Sequence, residues 1–156
     1  MKKYELYRET LLPTTLIEAW DFFSNPYNLA KITPVEMDFK VVTKDLPSNI
    51  YNGLTIDYIV RPIAGVPLKW LSQISAVNAP YSFVDEQLKG PYAYWHHEHT
   101  FEEKGAKVLM KDKVIYAIPF GVFGKLANTL MVKRKLNEIF DYRTTKILEI
   151  FKADEQ

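Results

Sequence analysis

The sequence contains no cysteine, and this absence excludes disulfide bonds, thiolate zinc sites and cysteine nucleophiles. No stretch approaches the roughly 18 consecutive apolar residues of a membrane-spanning helix, and no apolar run follows the two N-terminal lysines as it would in a secretory signal. The formal net charge is only +1, which gives no reason to expect a nucleic acid or an acidic membrane as partner. We therefore expect a cytoplasmic protein with no bound nucleic acid and no stable membrane insertion. The sequence does not indicate an oligomeric state.

The residues that are present suit one domain with a substantial core. Of the 156 residues, 47% are hydrophobic and 25% are charged, as is typical of a globular protein. Aromatic residues reach 14%, and large rings contribute much of the buried area of a core or a pocket. We expect a single domain over residues 1–156 with an interior rich in rings.

Changes in hydrophobic periodicity predict the order of the elements. A strand over 2–12 precedes two short helices. The first of these helices begins at a capping box formed by Thr15 and Glu18, and the second spans 27–33. Six more strands follow, separated by turn-forming residues. They are predicted over 37–44, 54–62, 67–78, 81–88, 93–103 and 107–119.

The last part of the chain, residues 120–152, predicts one long amphipathic helix. It contains no proline, and apolar residues recur at helical spacing from Phe123, Leu126 and Leu130 through to Phe151. Because consecutive strands with short turns form an antiparallel sheet, this helix is the natural cover for one face of it. The predicted fold is α+β: a curved antiparallel sheet of about seven strands wrapped on a long C-terminal helix, with two short helices after the first strand. A curved sheet wrapped around one helix tends to leave a cavity between helix and sheet, and pockets in such places bind apolar ligands.

One region carries a family resemblance. The stretch PYSFVDEQLKGPYAYWHHEHTFEEKGAKVLMKDKVIYAIPFG contains W-x-H-x-H-x-F, then D-x-V-x-Y, then a Pro-Phe-Gly exit into the last helix. It is similar to an uncharacterised bacterial branch of the helix-grip superfamily, which includes START domains, Bet v 1-like allergens and polyketide cyclases. The order of elements resembles that superfamily over essentially the whole chain. Some members of the branch are fused to a sugar-epimerase-like domain, which this sequence does not contain.

All three histidines of the chain lie in the segment GPYAYWHHEH. Strand side chains alternate between two faces, so Trp95, His97 and His99 share a face with Phe101, whereas His96 lies on the other. Trp95 and Phe101 are the larger apolar pair, and we therefore expect their face to point inward. Only His97 and His99 can then belong to one interior site.

Turn lengths predict what lies beside these histidines. A two-residue turn at 104–105 would place His97 opposite Asp112 and His99 opposite Met110 on the following strand. Opposed side chains on one face are close enough to interact, so His97 and Asp112 should form an inward histidine–carboxylate pair.

A second turn extends the polar patch to the preceding strand. A three-residue loop at 89–91 would place Phe83 opposite His97, with Asp85 on the diagonal and Gln87 also inward. Polar groups in such a place must be satisfied by each other, by water or by a ligand. The predicted inward polar patch comprises Asp85, Gln87, His97, His99 and Asp112.

Aromatic residues are expected to form the walls around this patch, as in pockets that are mostly apolar with a few placed polar groups. The predicted wall residues are Tyr58, Trp70, Trp95, Tyr116 and Phe123. The leading hypothesis is that the protein binds a small hydrophobic ligand such as a lipid, quinone or polyketide, in transport or in sensing.

Two other functions are compatible with the same residues. The resemblance to polyketide cyclases and dehydratases implies aldol condensation or loss of water, with His97 and Asp112 as an acid–base pair. A metal site would need His97 and His99 with Asp112 or Asp85 as third ligand. The sequence has no phosphate loop or cofactor fingerprint, so we expect no cofactor and no metal.

The start of the predicted C-terminal helix admits one further interpretation. The segment FGVFGKLANTLMVKRKL places Lys133, Arg134 and Lys135 beside an apolar stripe, as interfacial helices do. Acidic residues farther along the helix dilute this charge and favour a solvated outer face instead.

Overall fold

A computed structural model describes residues 1–62 and 64–153, without the side chains of residues 124, 125, 128, 129 and 153. Seven antiparallel strands form one sheet in the order β1-β7-β6-β5-β4-β3-β2. The strands are β1 Tyr4–Leu12, β2 Lys40–Val41, β3 Thr55–Val60, β4 Leu68–Asn78, β5 Ser82–Lys89, β6 Tyr94–Lys104 and β7 Lys107–Ala117. The α-helices are α1 Leu16–Phe23, α2 Gly121–Ala127 and α3 Lys133–Ala153. Two 3₁₀ helices span Pro26–Ile32 and Val35–Met37, and a π-helical turn spans Asn128–Val132.

This architecture confirms the predicted α+β fold, with a long C-terminal helix against a sheet of seven strands. The predicted start of the first helix is also correct. The Thr15 hydroxyl accepts a hydrogen bond from the Glu18 amide at 3.3 Å, and the Glu18 carboxylate accepts one from the Thr15 amide at 3.0 Å. These reciprocal bonds satisfy amides that the first helical turn would otherwise leave free.

The strand expected over 37–44 is much shorter in the structure. Only Lys40–Val41 pairs with β3, because the chain before it turns sharply. Asp38 adopts a left-handed conformation with φ of 42°, and its carboxylate accepts a hydrogen bond from the Arg61 guanidinium at 3.1 Å. This contact fixes the turn at the place where the sequence pattern predicted an extended chain.

The predicted register between β6 and β7 is wrong by two residues. The turn lies at Gly105-Ala106, one position later than expected, so Lys104 pairs with Lys107. Gly105 has φ of 62°, a left-handed conformation that glycine adopts readily. His99 therefore lies opposite Asp112, and His97 lies opposite Val114, two pairs farther along. A shift of two residues preserves the strand faces, so His97, His99 and Asp112 all still point inward.

The register between β5 and β6 differs in the same way. Asp85 lies opposite His97, and the connecting loop has four residues instead of three. The reason is Gln87, whose side-chain amide donates to the Tyr92 carbonyl at 2.8 Å and accepts from the Tyr92 amide at 3.2 Å. A Cβ at Gly90 would come within 2.3 Å of the Gln87 side-chain oxygen, so a larger residue there would displace this amide from Tyr92.

The C-terminal helix does not bury its predicted apolar stripe over its full length. Leu136, Phe140, Ile147 and Phe151 of α3 are buried in the core. By contrast, the expected core residues Phe123, Leu126 and Leu130 are exposed. The π-helical turn between the two parts has more residues per turn than an α-helix, so a stripe counted at α-helical spacing does not continue across it. None of the helices described is both long and apolar enough to cross a bilayer.

Candidate functional site

A cavity of about 180 Å³ lies between the sheet and α3. Its walls are mostly apolar and come from β3 to β6, from α3 and from the segment around Pro26–Ile32. For scale, an engineered apolar cavity of about 150 Å³ accepts a benzene molecule. The cavity therefore has room for a ring-sized molecule without movement of its walls.

Three of the predicted aromatic wall residues line this cavity. Tyr58 and Trp70 stack with their rings 5.7 Å apart, and Trp95 meets Trp70 edge to face at 5.2 Å. The Tyr58 hydroxyl is 3.0 Å from the hydroxyl oxygen of Ser72, which also lines the cavity. This pair places a polar group within an otherwise aromatic wall.

The other two predicted wall residues lie elsewhere, and their expected placement is wrong. Tyr116 is buried outside the cavity, where its ring stacks on Tyr4 at 5.6 Å. Phe123 is exposed, because it precedes the π-helical turn. Gln87 is also outside the cavity wall, since its amide is engaged by the backbone of Tyr92.

His97 and Asp112 form the predicted buried pair. The Nε2 atom of His97 is 2.7 Å from Oδ1 of Asp112. His97 lines the cavity, whereas Asp112 lies behind it. Burial alone would raise the pKa of Asp112, but the contacts with His97 and His99 outweigh this and hold that pKa below its ordinary value.

The environment keeps His97 neutral at neutral pH. Burial, reinforced by the neighbouring His99, lowers the pKa of His97 to about 3, although the contact with Asp112 acts in the opposite direction. Because Asp112 is ionised, the proton of neutral His97 belongs on Nε2, where it is donated to the carboxylate. Nδ1 of His97 is then a hydrogen-bond acceptor, and it bonds to no residue that the structure describes.

His99 completes this cluster through packing more than through hydrogen bonding. Its ring lies 4.3 Å from that of Phe83 with an interplanar angle of 17°, and 3.7 Å from that of His97. Nδ1 of His99 is 3.1 Å from Oδ1 of Asp112 but does not form a well-directed hydrogen bond with any residue described. One carboxylate oxygen thus faces both rings.

Sequence reasoning missed Arg143, which enters the cavity wall from α3. Its guanidinium carbon lies 4.8 Å from the centre of the Phe140 ring. No residue within 1–62 or 64–153 forms a hydrogen bond or an ion pair with this side chain, and its buried Nε has no partner. Burial lowers the pKa of Arg143, while Asp112 and Asp85 raise it. Guanidinium groups nevertheless remain charged in proteins.

Asp85 is another polar group at this end of the cavity without a full set of partners. Its Oδ1 is buried and is bonded to no described residue. Burial raises the pKa of Asp85, although Ser72 and His99 lower it. The cavity therefore combines a guanidinium, an acidic group and a neutral imidazole at one end.

A sequence signal for Arg143 did exist. Arg143 lies three residues after Phe140 and four before Ile147, so it occupies the buried side of α3. A charged residue within an apolar stripe is unusual, because burying an unpaired charge is costly. Apolar periodicity alone does not single out an arginine within such a stripe.

The geometry also brings together a group of potential metal ligands. One ligand atom each from His97, His99 and Asp112 lies within 4.8 Å of the others, and all three residues are buried. A metal at this place would have to replace the 2.7 Å contact between His97 and Asp112. Asp85, the other candidate ligand, does not belong to this group.

Comparison with solved structures identifies the fold. The Zhui aromatase/cyclase from Streptomyces sp. R1128 matches with a TM-score of 0.78 at 11% identity, over 99% of this chain and 97% of that one. A START superfamily protein from Mycobacterium smegmatis matches with a TM-score of 0.71 at 10% identity, over 96% of this chain and 97% of that one. This chain has the helix-grip fold.

The helix-grip fold also occurs within a larger neighbour. The nucleoside-diphosphate sugar epimerase from Corynebacterium glutamicum matches with a TM-score of 0.64 at 22% identity. The match covers 94% of this chain but only 29% of that one. No family model and no curated protein matches this sequence. The structural neighbours confirm the fold that the sequence resemblance predicted.

Proposed function

We propose that this protein binds a small, largely apolar molecule in the cavity, with the molecule's oxygen-bearing end against Arg143 and Asp85. One observation carries the proposal. A buried guanidinium nitrogen and a buried carboxyl oxygen, neither bonded to any described residue, lie at one end of an aromatic cavity. Leaving such groups unsatisfied is unfavourable, and a bound molecule with matching oxygens would satisfy them.

The donors and acceptors at this end restrict the chemistry of the molecule. Arg143 can only donate hydrogen bonds, so it requires a carbonyl, carboxylate or phenolate oxygen. Nδ1 of His97 is an acceptor and favours a hydroxyl nearby. Asp85 can accept, or donate when protonated, and burial raises its pKa. A ring that carries adjacent carbonyl and hydroxyl groups meets these requirements.

Size separates the candidate classes. A cavity of about 180 Å³ suits one or two rings, whereas a lipid with a long acyl chain would require the walls to move apart. Among lipids, quinones and polyketides, only a compact molecule of one or two rings suits the cavity as it stands. The aromatase/cyclase among the structural neighbours supports a ligand that contains a ring.

Equilibrium dialysis with three probes of one shape tests this proposal. Naphthalene, 2-naphthol and 2-naphthoate share two rings and differ only in the polar end. Since a hydrogen bond to a charged group contributes about 1.5–3 kcal/mol, 2-naphthoate should bind roughly 10- to 100-fold more tightly than naphthalene. Equal affinities would contradict the role of the polar end, and no binding of any probe would contradict the cavity itself.

Two arginines on the same helix provide a matched comparison. Arg143→Met should reduce 2-naphthoate binding to the level of naphthalene. Arg134→Met should leave both affinities unchanged, because the Arg134 side chain is 79% exposed. An equal loss in both variants would show that general charge, and not the cavity, governs binding.

Catalysis by His97 and Asp112 is the second candidate function, in line with the cyclases of this fold. The observation in its favour is that His97 lines the cavity with a carboxylate directly behind it. A pKa of about 3 makes His97 a weak general base at neutral pH, so the geometry favours binding. His97→Gln should abolish the cyclisation of a linear polyketide thioester but only weaken 2-naphthoate binding. Turnover that survives this change would exclude His97 as the catalytic base.

A further inference from the structure

The start of the C-terminal helix exposes a large apolar surface. Phe120 and Phe123 are each 81% exposed, and Val122, Leu126 and Leu130 are exposed as well. Phe123 and Leu126 are three positions apart, a spacing that keeps them on one side of α2. Contiguous exposed apolar surface of this kind marks a site of interaction, because isolated soluble domains rarely present it.

The same stretch is basic and lacks acidic residues. Between positions 119 and 137 the sequence contains four lysines or arginines and no aspartate or glutamate. Lys133 and Arg134 are exposed just after the apolar surface. Lys2 lines a groove together with Phe120, so Lys2 adds positive charge on this side. The surface therefore combines an apolar centre with a positive margin.

We propose that residues 120–131 form a docking surface for an anionic lipid bilayer. Helices that lie in a membrane interface bury an apolar face among the headgroups and keep lysine and arginine beside the lipid phosphates. A second copy of the chain fits less well, since it would bring two positive margins together and the neighbouring Glu138 is already paired with Arg134 at 3.4 Å. Charge complementarity thus favours the bilayer over self-association.

Docking in this position would bring the cavity close to the bilayer. Leu136, Ile139 and Phe140 line the cavity, and they lie on the turns that follow the docking surface in the same helix. A molecule taken from the bilayer could then reach the cavity over a short distance. Only this link to uptake rests on the proposed function, whereas docking itself does not.

Cosedimentation with vesicles tests the proposal. We expect the full-length protein to sediment with phosphatidylcholine vesicles that contain phosphatidylglycerol. It should not do so with phosphatidylcholine alone, and high NaCl should weaken the binding because salt screens the charges. Failure to sediment with the anionic vesicles, or equal binding to neutral ones, would overturn the proposal.

Matched variants locate the surface. Phe123→Ser combined with Leu126→Ser should lower vesicle partitioning by about tenfold or more. Val35→Ser combined with Tyr81→Ser replaces similarly exposed apolar residues elsewhere and should leave vesicle partitioning unchanged.

A second pair of variants tests the role of charge. Lys133→Gln with Arg134→Gln should weaken vesicle binding, while Lys104→Gln with Lys107→Gln at the β6–β7 turn should not. Equal effects of a variant pair and its control would overturn the assignment to residues 120–131.

Two further readouts separate the possible outcomes. Dialysis with 2-naphthoate should give the wild-type affinity for the Phe123→Ser, Leu126→Ser protein, so a failure of docking is distinguishable from a failure of the cavity. Sedimentation velocity should show the same oligomeric state with and without these two substitutions. An oligomer that dissociates on substitution, without vesicle binding by the wild type, would assign the surface to a second copy and overturn the proposal.

Discussion

Phe123 and Phe140 belong to the same continuous C-terminal helix, yet Phe123 is 81% exposed and Phe140 is 3% exposed. The π-helical turn Asn128–Val132 separates the two environments. Before it, apolar side chains face solvent beside basic residues. After it, apolar side chains meet the sheet and enclose Arg143. Apolar residues at helical spacing can therefore lie on two different surfaces of the protein when a π-helical turn separates them.

The two halves also differ in what their charged residues do. Arg134 is 79% exposed and lies 3.4 Å from Glu138, an exposed pair that contributes little to stability. Arg143 lines the cavity and pairs with no described residue. The same residue type is therefore a surface charge in one turn of α3 and a candidate ligand contact a few turns later.

The strongest test of this comparison replaces each phenylalanine in turn. Phe140→Ala should lower the free energy of unfolding by about 3–5 kcal/mol, because it empties a buried position. Phe123→Ala should change it by less than about 0.5 kcal/mol, as exposed positions do. Urea denaturation measures both values. A similar loss at both positions would show that the helix start is packed against the protein in solution.

Low pH should lower the free energy of unfolding through His97, which is buried against α3. The folded-state pKa of about 3 lies below the ordinary value near 6.5, so the unfolded chain binds the proton more readily. The stability that neutral His97 contributes is therefore complete above pH 6.5 and is lost as the pH falls from there toward 3. One proton corresponds to a slope of about 1.4 kcal/mol per pH unit.

Replacement of His97 isolates this contribution. In His97→Gln, the free energy of unfolding between pH 6.5 and 4 should depend less steeply on pH than in the wild type. Asp85 acts in the opposite direction, since a raised pKa favours the folded state at lower pH, but both proteins retain it. Parallel curves for the two proteins, measured by urea denaturation at each pH, would be at odds with a depressed pKa at His97.

A smaller effect is expected from the two arginines. Without a ligand, Arg143→Met should leave stability unchanged or raise it by up to about 2 kcal/mol, because an apolar side chain replaces a charge that is costly to bury. Arg134→Met should change stability by less than about 0.5 kcal/mol. Thermal unfolding of both proteins in the absence of added ligand provides the comparison. A large loss of stability in Arg143→Met would indicate that Arg143 holds the fold together and does not await a ligand.

The smallest expected effect concerns metal. Zinc or a chelator should leave Tm unchanged, because Asp112 is already engaged by His97 at 2.7 Å. A molecule that binds only the folded state raises Tm with its concentration. A zinc-dependent rise in Tm that disappears in His99→Ala would establish a metal site.

The sequence predicted the fold well because periodicity depends only on local spacing. Alternation along β6 correctly placed His97 and His99 on the inward face, and the capping box correctly placed the start of α1. Register was harder to predict, because it depends on contacts that close the turns. Gly105 and the amide of Gln87 each moved a turn by about one residue, which shifted the strand partners by two.

The candidate site was only partly predictable for a related reason. The predicted contact between His97 and Asp112 is present despite the wrong register, because diagonal neighbours on adjacent strands can also touch when they share a face of the sheet. Tyr116 and Phe123 were misplaced, since nothing local distinguishes a ring in a cavity wall from one in the core or on the surface. Arg143 was missed because its role depends on the cavity that the sheet and α3 form together.

A crystal structure of the protein with 2-naphthoate would test the central claim most directly. We expect the two rings to pack against Trp70 and Trp95 inside the cavity, with a carboxylate oxygen about 3 Å from a nitrogen of Arg143. Naphthoate bound in the cavity with its carboxylate turned away from Arg143, or bound only outside the cavity, would contradict the proposed role of Arg143 in ligand binding.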